Sequence, residues 1–112
     1  MIDTIEITKE IYESAHRLQG AGDALFLLAK TMAETERAYR RALGIEIVTL
    51  KSDKVQTTLI PDIARGMTAD LKFERDLAEA RYKSGRDNLQ AIQSQMNGLQ
   101  SILRVQTNIG GV

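Results

Sequence analysis

The sequence contains no cysteine and no tryptophan, and it has only one proline, two phenylalanines and three tyrosines in 112 residues. Without cysteine the chain cannot form disulfides or a thiolate zinc site, so its stability must come from packing. A β-sandwich or barrel needs β-branched runs separated by frequent turn residues, and these are scarce here. The composition therefore predicts an all-α protein with a mainly aliphatic core, of a size that suits one domain spanning residues 1–112.

The chain also lacks an excess of charge of either sign, because fifteen basic residues balance fifteen acidic ones. A net charge of zero removes the long-range attraction to phosphate on which non-specific nucleic-acid binders rely. The longest apolar run, residues 24–29, is too short to span a bilayer, and the acidic start at Asp3 and Glu6 is unlike a signal peptide. We expect no membrane association and a cytoplasmic location.

The C-terminal third carries the clearest periodic pattern. Eight residues recur at alternating spacings of four and three, namely Ala78, Tyr82, Gly85, Leu89, Ile92, Met96, Leu99 and Leu103. Such a heptad seam predicts a long helix that packs against a partner helix at a small crossing angle. With Thr68 as its N-cap and Asp70 in its first turn, we place this helix at residues 69–106, followed by a mobile tail from Asn108.

Two further helices are predicted in the N-terminal half. Residues 5–19 carry an apolar row at helical spacing, made of Ile7, Ile11, Ala15 and Leu18. Gly20-Ala-Gly22 then marks a kink or break, or a tolerated flaw in one very long helix. Residues 23–52 form a second long helix whose broad apolar face contains Leu25, Leu28, Ala29, Met32, Tyr39, Ala42, Leu43, Ile47 and Leu50. A short strand around residues 45–48 is the alternative for its last part.

Between the long helices, a polar loop is followed by a short helix at residues 59–65. Thr58 is expected to cap it, Pro61 falls in its first turn, and Gly66 is expected to end it. Its Leu59, Ile60 and Ile63 are expected to cover the apolar end of the pair. The predicted fold is an antiparallel helical hairpin of two long helices with this short connecting helix and an N-terminal helix, assembling into a helical bundle.

No group of residues has the pattern of a catalytic, cofactor or metal site. His16 is the only histidine, and general-base or metal chemistry at that position would need convergent partners that are not evident. The carboxylates of the last helix alternate with basic residues, and Glu79 and Lys83 are spaced for an i,i+4 ion pair. We therefore expect a protein that is not an enzyme and has no cofactor.

Two sets of residues are candidates for binding. Local nucleic-acid contacts would use Arg65, Lys72 and Arg75. In a separate triplet, Arg37, Arg40 and Arg41, the first two are expected to be neutralised by Glu34 and Glu36. A protein interface would use aromatic and arginine side chains, which concentrate binding energy, and the candidates are Tyr39, Arg40, Phe73, Arg75 and Tyr82. Wide apolar helix faces also predict a homo-oligomer, because one hairpin cannot cover them.

Three segments carry a resemblance to a known family: Tyr39-Arg-Arg-Ala-Leu, Leu59-Ile-Pro-Asp-Ile-Ala-Arg-Gly66 and Phe73-Glu-Arg-Asp-Leu-Ala-Glu-Ala-Arg-Tyr-Lys-Ser84. Over roughly residues 35–103 the chain resembles small early-region proteins of bacteriophages and prophages of Gram-positive bacteria, encoded near recombination and replication genes. The family supplies no catalytic residues to transfer. The resemblance implies a phage-encoded protein in a bacterial cell that binds a host or phage protein, with accessory nucleic-acid binding in replication or recombination as the alternative.

Overall fold

The computed structural model describes residues 3–110, and this range is almost entirely helical. Three helices occur in the order α1 at Thr4–Ser52, α2 at Ile60–Met67 and α3 at Ala69–Gly110. The described range contains no strand, which confirms the all-α prediction and excludes a strand at residues 45–48. None of these helices is both long enough and apolar enough to cross a membrane.

The first helix is continuous where the sequence suggested a break. α1 runs through Gly20-Ala-Gly22, so the helices predicted at residues 5–19 and 23–52 are parts of one element of 49 residues. Each glycine costs a helix interior about 1 kcal/mol relative to alanine. Leu18, Ala21 and Leu25 are half-buried on either side of the two glycines. Their packing offsets the low local propensity, as tertiary contacts generally do in protein helices.

The contacts divide the chain into two compact units. Unit 1 comprises Met1–Phe26 together with Ser84–Val112, and unit 2 comprises Leu27–Lys83. Each unit combines a stretch of α1 with a stretch of α3, and unit 2 also contains α2.

In unit 1 the first stretch of α1 packs antiparallel to the last stretch of α3. Thr4 lies opposite Gln106, and the Arg17 guanidinium donates to Gln95 at 3.3 Å. The residues of α1 that pack inward, which we call the inner seam, are Ile7, Ile11, Ser14, Leu18, Ala21 and Leu25. Ala15 was predicted for this face but is exposed. The next inward residue after Ile11 is Ser14, three positions along, and not Ala15, four positions along. Ser14 is fully buried and accepts a hydrogen bond from Arg17 at 3.1 Å.

In unit 2 a small core forms where α1 ends and α2 begins. Leu50, Ile60 and Ala64 are buried together, and Leu43, Ile47 and Val55 pack against them. α2 turns Ile60 and Ala64 inward, so Leu59 and Ile63, which were also predicted to cover this end, lie on its solvent side and stay exposed. Leu59 and Ile63 each lie one position before a buried residue, which places them about 100° around the helix from it.

The ends of the short helix differ from the prediction. The N-cap is Leu59 without a side-chain hydrogen bond, so Thr58 does not cap α2, and Gly66 lies inside the helix. Thr68, predicted to cap α3, instead closes α2, because its hydroxyl donates to the Ala64 carbonyl at 2.8 Å. The backbone N–H of Thr68 is directed at the same carbonyl, so Thr68, which was predicted to begin α3, caps the C-terminal end of α2.

The heptad seam of α3 is confirmed in full. All eight predicted residues are buried or half-buried, with Ala78, Ile92 and Leu99 the most covered. α3 begins at Ala69 as predicted and continues to Gly110, four residues past the predicted end at residue 106. Asn108, which begins the predicted mobile tail, is helical, and residues 111 and 112 of that tail lie outside the described residues.

Candidate functional site

Unit 2 contains one group of interlocking charges that includes several of the predicted binding residues. We call it the arginine–carboxylate cluster, and its members are Glu36, Tyr39 and Arg40 of α1 with Lys72, Arg75 and Asp76 of α3. The residues of α1 share one face because they are three to four positions apart, and so do those of α3. The cluster therefore forms where these faces meet within the unit.

Arg75 is the central side chain of this cluster. Its guanidinium carbon lies 4.9 Å from the centre of the Tyr39 ring, a distance suited to a cation–π interaction. Its Nε is 3.4 Å from Glu36, and its Nη2 donates to Asp76 at 3.0 Å. Arg75 thus covers a buried tyrosine and bridges carboxylates from two helices, so its role here is structural.

Two carboxylates of the cluster are held in their ionised form. The hydrogen bond from Arg40, with further attraction from Arg75, lowers the pKa of Glu36 from its ordinary value. The hydrogen bond from Arg75, supported by the charge of Lys72, lowers the pKa of Asp76. The bond to Asp76 in turn raises the pKa of Arg75. A carboxylate whose pKa is lowered is a poor proton acceptor at neutral pH, whereas a general base needs a raised pKa.

An open groove of about 390 Å³ lies beside the cluster. It is lined by Met32, Ala33, Glu36, Arg75 and Glu79. Glu79 makes the predicted i,i+4 ion pair with Lys83, at 3.1 Å, and the other two charged residues are paired within the cluster. The groove therefore presents neutralised charges and a short apolar strip. In the described part of the chain no three His, Asp or Glu side chains converge in a way that could hold a metal ion.

The five predicted interface residues fall into three environments. Tyr39 is buried and Tyr82 half-buried in the helix seams, and Arg75 is half-buried over Tyr39. Arg40 is exposed but paired with Glu36, as the sequence spacing predicted. Phe73 is 62% exposed. Of this set, the structure leaves Phe73 as the large apolar side chain available to another molecule.

The three predicted nucleic-acid contacts all have acidic partners. Arg65 pairs with Asp62 at 3.3 Å, Lys72 with Asp76 at 3.4 Å, and Arg75 with both Glu36 and Asp76. A basic patch attracts phosphate through its net charge, and here each cation lies next to a carboxylate. The structure therefore does not bring these residues together as a net positive surface.

The sequence reasoning missed an apolar row on α2. Leu59, Ile63 and Met67 follow at spacings of four and are 50%, 38% and 59% exposed. We call them the α2 row. The signal was present in the spacing, but residues 59 and 63 were assigned to the core because they are apolar. Only the burial of Ile60 and Ala64 shows which side of α2 faces inward.

Comparisons with known proteins found no match to this chain among family models, curated proteins or solved structures.

Proposed function

We propose that this chain is a phage-encoded helical interaction protein without enzymatic activity, which binds a host or phage protein through the α2 row. The apolar partner surface would cover Leu59, Ile63 and Met67, and Phe73 would extend the contact. The resemblance of residues 35–103 to early-region phage proteins supports the phage context. Binding alone is a sufficient function for such a protein, because occupying a surface on host machinery can redirect it.

One observation carries this proposal: a helix of eight residues exposes apolar side chains along the edge of its buried face, where Leu59 and Ile63 each precede a buried residue by one position. The buried face of α2 holds the helix on α1 through Ile60 and Ala64. The charged side chains beside the row, Asp62 and Arg65, are paired with each other at 3.3 Å. A firmly anchored helix with an uncovered apolar row is the arrangement used when a helix face is recognised by a partner.

Nucleic-acid binding receives no such support, because Arg65, Lys72 and Arg75 are each paired with a carboxylate. Phosphate binding and apolar binding also respond differently to salt. Affinity that depends on several phosphate contacts falls steeply between about 50 and 200 mM salt, whereas an apolar interface changes little over that range. This difference provides a direct test between the two functions.

The experiment is a tagged pull-down from nuclease-treated lysate of a Gram-positive host, with three forms of the bait. These are the natural chain, the variant Ile63→Ser with Met67→Ser, and a control with Asp62→Asn and Arg65→Gln, which alters the polar residues of the same helix. We expect one protein to be recovered in stoichiometric amount by the natural chain and the control, and lost with the serine variant. Its binding should then be repeated with purified protein at both salt concentrations.

Equal recovery by all three baits would contradict the assignment to the α2 row. Loss of binding at the higher salt, or binding that needs untreated lysate, would favour the nucleic-acid alternative. The serine variant is expected to fold, because both substituted side chains are exposed, and circular dichroism of the three baits checks this.

A further inference from the structure

The first stretch of α1 carries a second seam that none of the described residues covers. Each of its residues follows one residue after an inner-seam residue, so it is rotated by about 100° around the helix axis. We call it the outer seam, and it consists of Thr8, Tyr12, Ala15, Gln19, Gly22 and Phe26. All six are exposed, Tyr12 to 65% and Phe26 to 69%. Alternating steps of four and three are the spacing that packs one helix along another.

Large and small residues alternate along this seam in a way that is complementary to itself. Tyr12, Gln19 and Phe26 are the large members, and each is preceded on the seam by a small one, namely Thr8, Ala15 and Gly22 respectively. In an antiparallel pair of helices, residues whose numbers have the same sum lie level. With a sum of 34, Tyr12 of one copy lies opposite Gly22 of the other, Gln19 opposite Ala15, and Phe26 opposite Thr8. Every layer then places a large side chain against a small one, as close helix packing requires.

Gly22 is not required by the packing of the single chain. A Cβ added at this position would meet nothing within 4 Å, so the space above it is open. That space would receive the ring of Tyr12 from a second copy. Thr8 can also be covered without loss, because its hydroxyl already donates to the Thr4 carbonyl at 2.8 Å.

The charges beside the seam select the same register. Lys9 and Asp23 each follow a small seam residue and flank the seam on one side. In the antiparallel arrangement they lie almost level, because 9 and 23 sum to 32, so each copy offers a cation to the other copy's carboxylate. A shift of one heptad in either direction separates both pairs. Charge complementarity therefore agrees with the fit of the side chains.

We infer that a second copy of this chain packs antiparallel on the outer seam, so that the protein is a two-fold symmetric dimer through α1. The exposed area agrees with this, because the chain exposes 8227 Å², whereas a folded monomer of 12.5 kDa exposes about 6,200 Å². A self-complementary patch with a two-fold axis is also the commonest route to a homodimer. The inference uses residues of unit 1 and does not rest on the α2 row.

The first experiment compares substitutions at two exposed glycines of α1. Gly22→Gln fills the space for Tyr12, and Gly20→Gln is the matched control, since Gly20 also has nothing within 4 Å but lies off the seam. Both changes favour helix, so loss of folding cannot explain a difference between them. In sedimentation equilibrium we expect the natural chain and Gly20→Gln at twice the 12.5 kDa of one chain, and Gly22→Gln at the monomer mass. A monomeric natural chain, or a dimer that persists in Gly22→Gln, would overturn the inference.

The second experiment tests the register by cysteine cross-linking. The natural chain contains no cysteine, so only the introduced cysteines can react. Lys9→Cys and Asp23→Cys are prepared separately, mixed, and treated with a short bis-maleimide. We expect covalent dimers in the mixture and none in either variant alone, because like positions lie far apart in the antiparallel dimer. Cross-linking of each variant with itself would indicate a parallel dimer and would refute the proposed arrangement. Neither experiment involves the partner protein, so this inference and the proposed function can fail separately.

Discussion

At the residue scale, Glu36 is the acidic residue on which the arginine–carboxylate cluster depends. It accepts a hydrogen bond from Arg40 and lies 3.4 Å from Arg75, which in turn covers the Tyr39 ring. The cluster is open to solvent, so each ion pair by itself contributes little to the free energy of unfolding. Its importance lies in fixing Arg75 over a buried aromatic ring, because a free arginine would lose conformational entropy to reach that position.

The pKa of Glu36 gives this arrangement a pH dependence. The pKa is lowered in the folded chain, chiefly by the hydrogen bond from Arg40, relative to its ordinary value of 4.5. A carboxyl with a lowered pKa stabilises the fold above its unfolded-state pKa, and that contribution is lost as the pH falls through the folded-state pKa. We predict that Glu36→Gln lowers Tm at pH 7 and that the difference from the natural chain narrows as the pH falls below 4.5.

The control for this prediction is Glu34→Gln, since Glu34 makes no ion pair within residues 3–110. Its Tm should follow that of the natural chain across the pH range. A Tm difference for Glu36→Gln that stays constant from pH 7 to pH 3 would show that the carboxylate charge is not the cause. Thermal unfolding followed by circular dichroism measures both variants.

At the element scale, the end of α1 has a geometry that favours glycine but contains lysine. The N–H of Val55 bonds the Leu50 carbonyl and that of Lys54 bonds the Lys51 carbonyl, both at 3.1 Å. This is the Schellman arrangement, whose left-handed residue is usually glycine. Here it is Lys54, with φ of 61°. Val55 packs against the core that contains Leu50, so the turn also places the first residue beyond the helix.

We predict that Lys54→Gly raises the free energy of unfolding by about 0.5 to 1 kcal/mol, because it removes left-handed strain and this outweighs the added freedom of the unfolded chain. Lys30→Gly is the matched control, since Lys30 is an exposed lysine inside α1, and we expect that substitution to lower the free energy of unfolding by about 1 kcal/mol. Urea titration measures both. If Lys54→Gly is less stable than the natural chain, then lysine adopts the left-handed conformation at this position without strain that glycine could relieve.

At the scale of the whole molecule, the described residues include eight buried apolar residues and thirteen exposed large apolar side chains. Much apolar surface is therefore uncovered in the single chain, and the dimer inferred above would bury Tyr12 and Phe26 from it. Association also makes stability depend on concentration, because mass action favours the folded dimer over unfolded monomers.

We predict that the Tm of the natural chain rises by about 3 °C for each tenfold increase in protein concentration, from the entropy of unfolding of two chains of this length. The Tm of Gly22→Gln should not change over the same range, whereas that of Gly20→Gln should rise like the natural chain. Scanning calorimetry over two decades of concentration measures this. A natural chain whose Tm is independent of concentration would mean that folding and association are not coupled.

The sequence by itself determined the helical class, the start of α3 at Ala69 and the eight-residue seam along it. These features depend on the repeat of apolar residues along one helix, which is local information. The i,i+4 pairs at Glu36 and Glu79 were predictable for the same reason, since neighbours on one helix are set by its period.

Tertiary packing decided the features that local propensity does not specify. Because of this packing, α1 stays helical through Gly20 and Gly22. Ser14 is buried in the inner seam and Ala15 is exposed. On α2, Ile60 is buried and Ile63 is exposed. Apolar residues occur on both sides of these helices, so hydrophobicity alone could not rank the faces. The choice depends on which side meets another helix, and that information lies in residues far away along the chain.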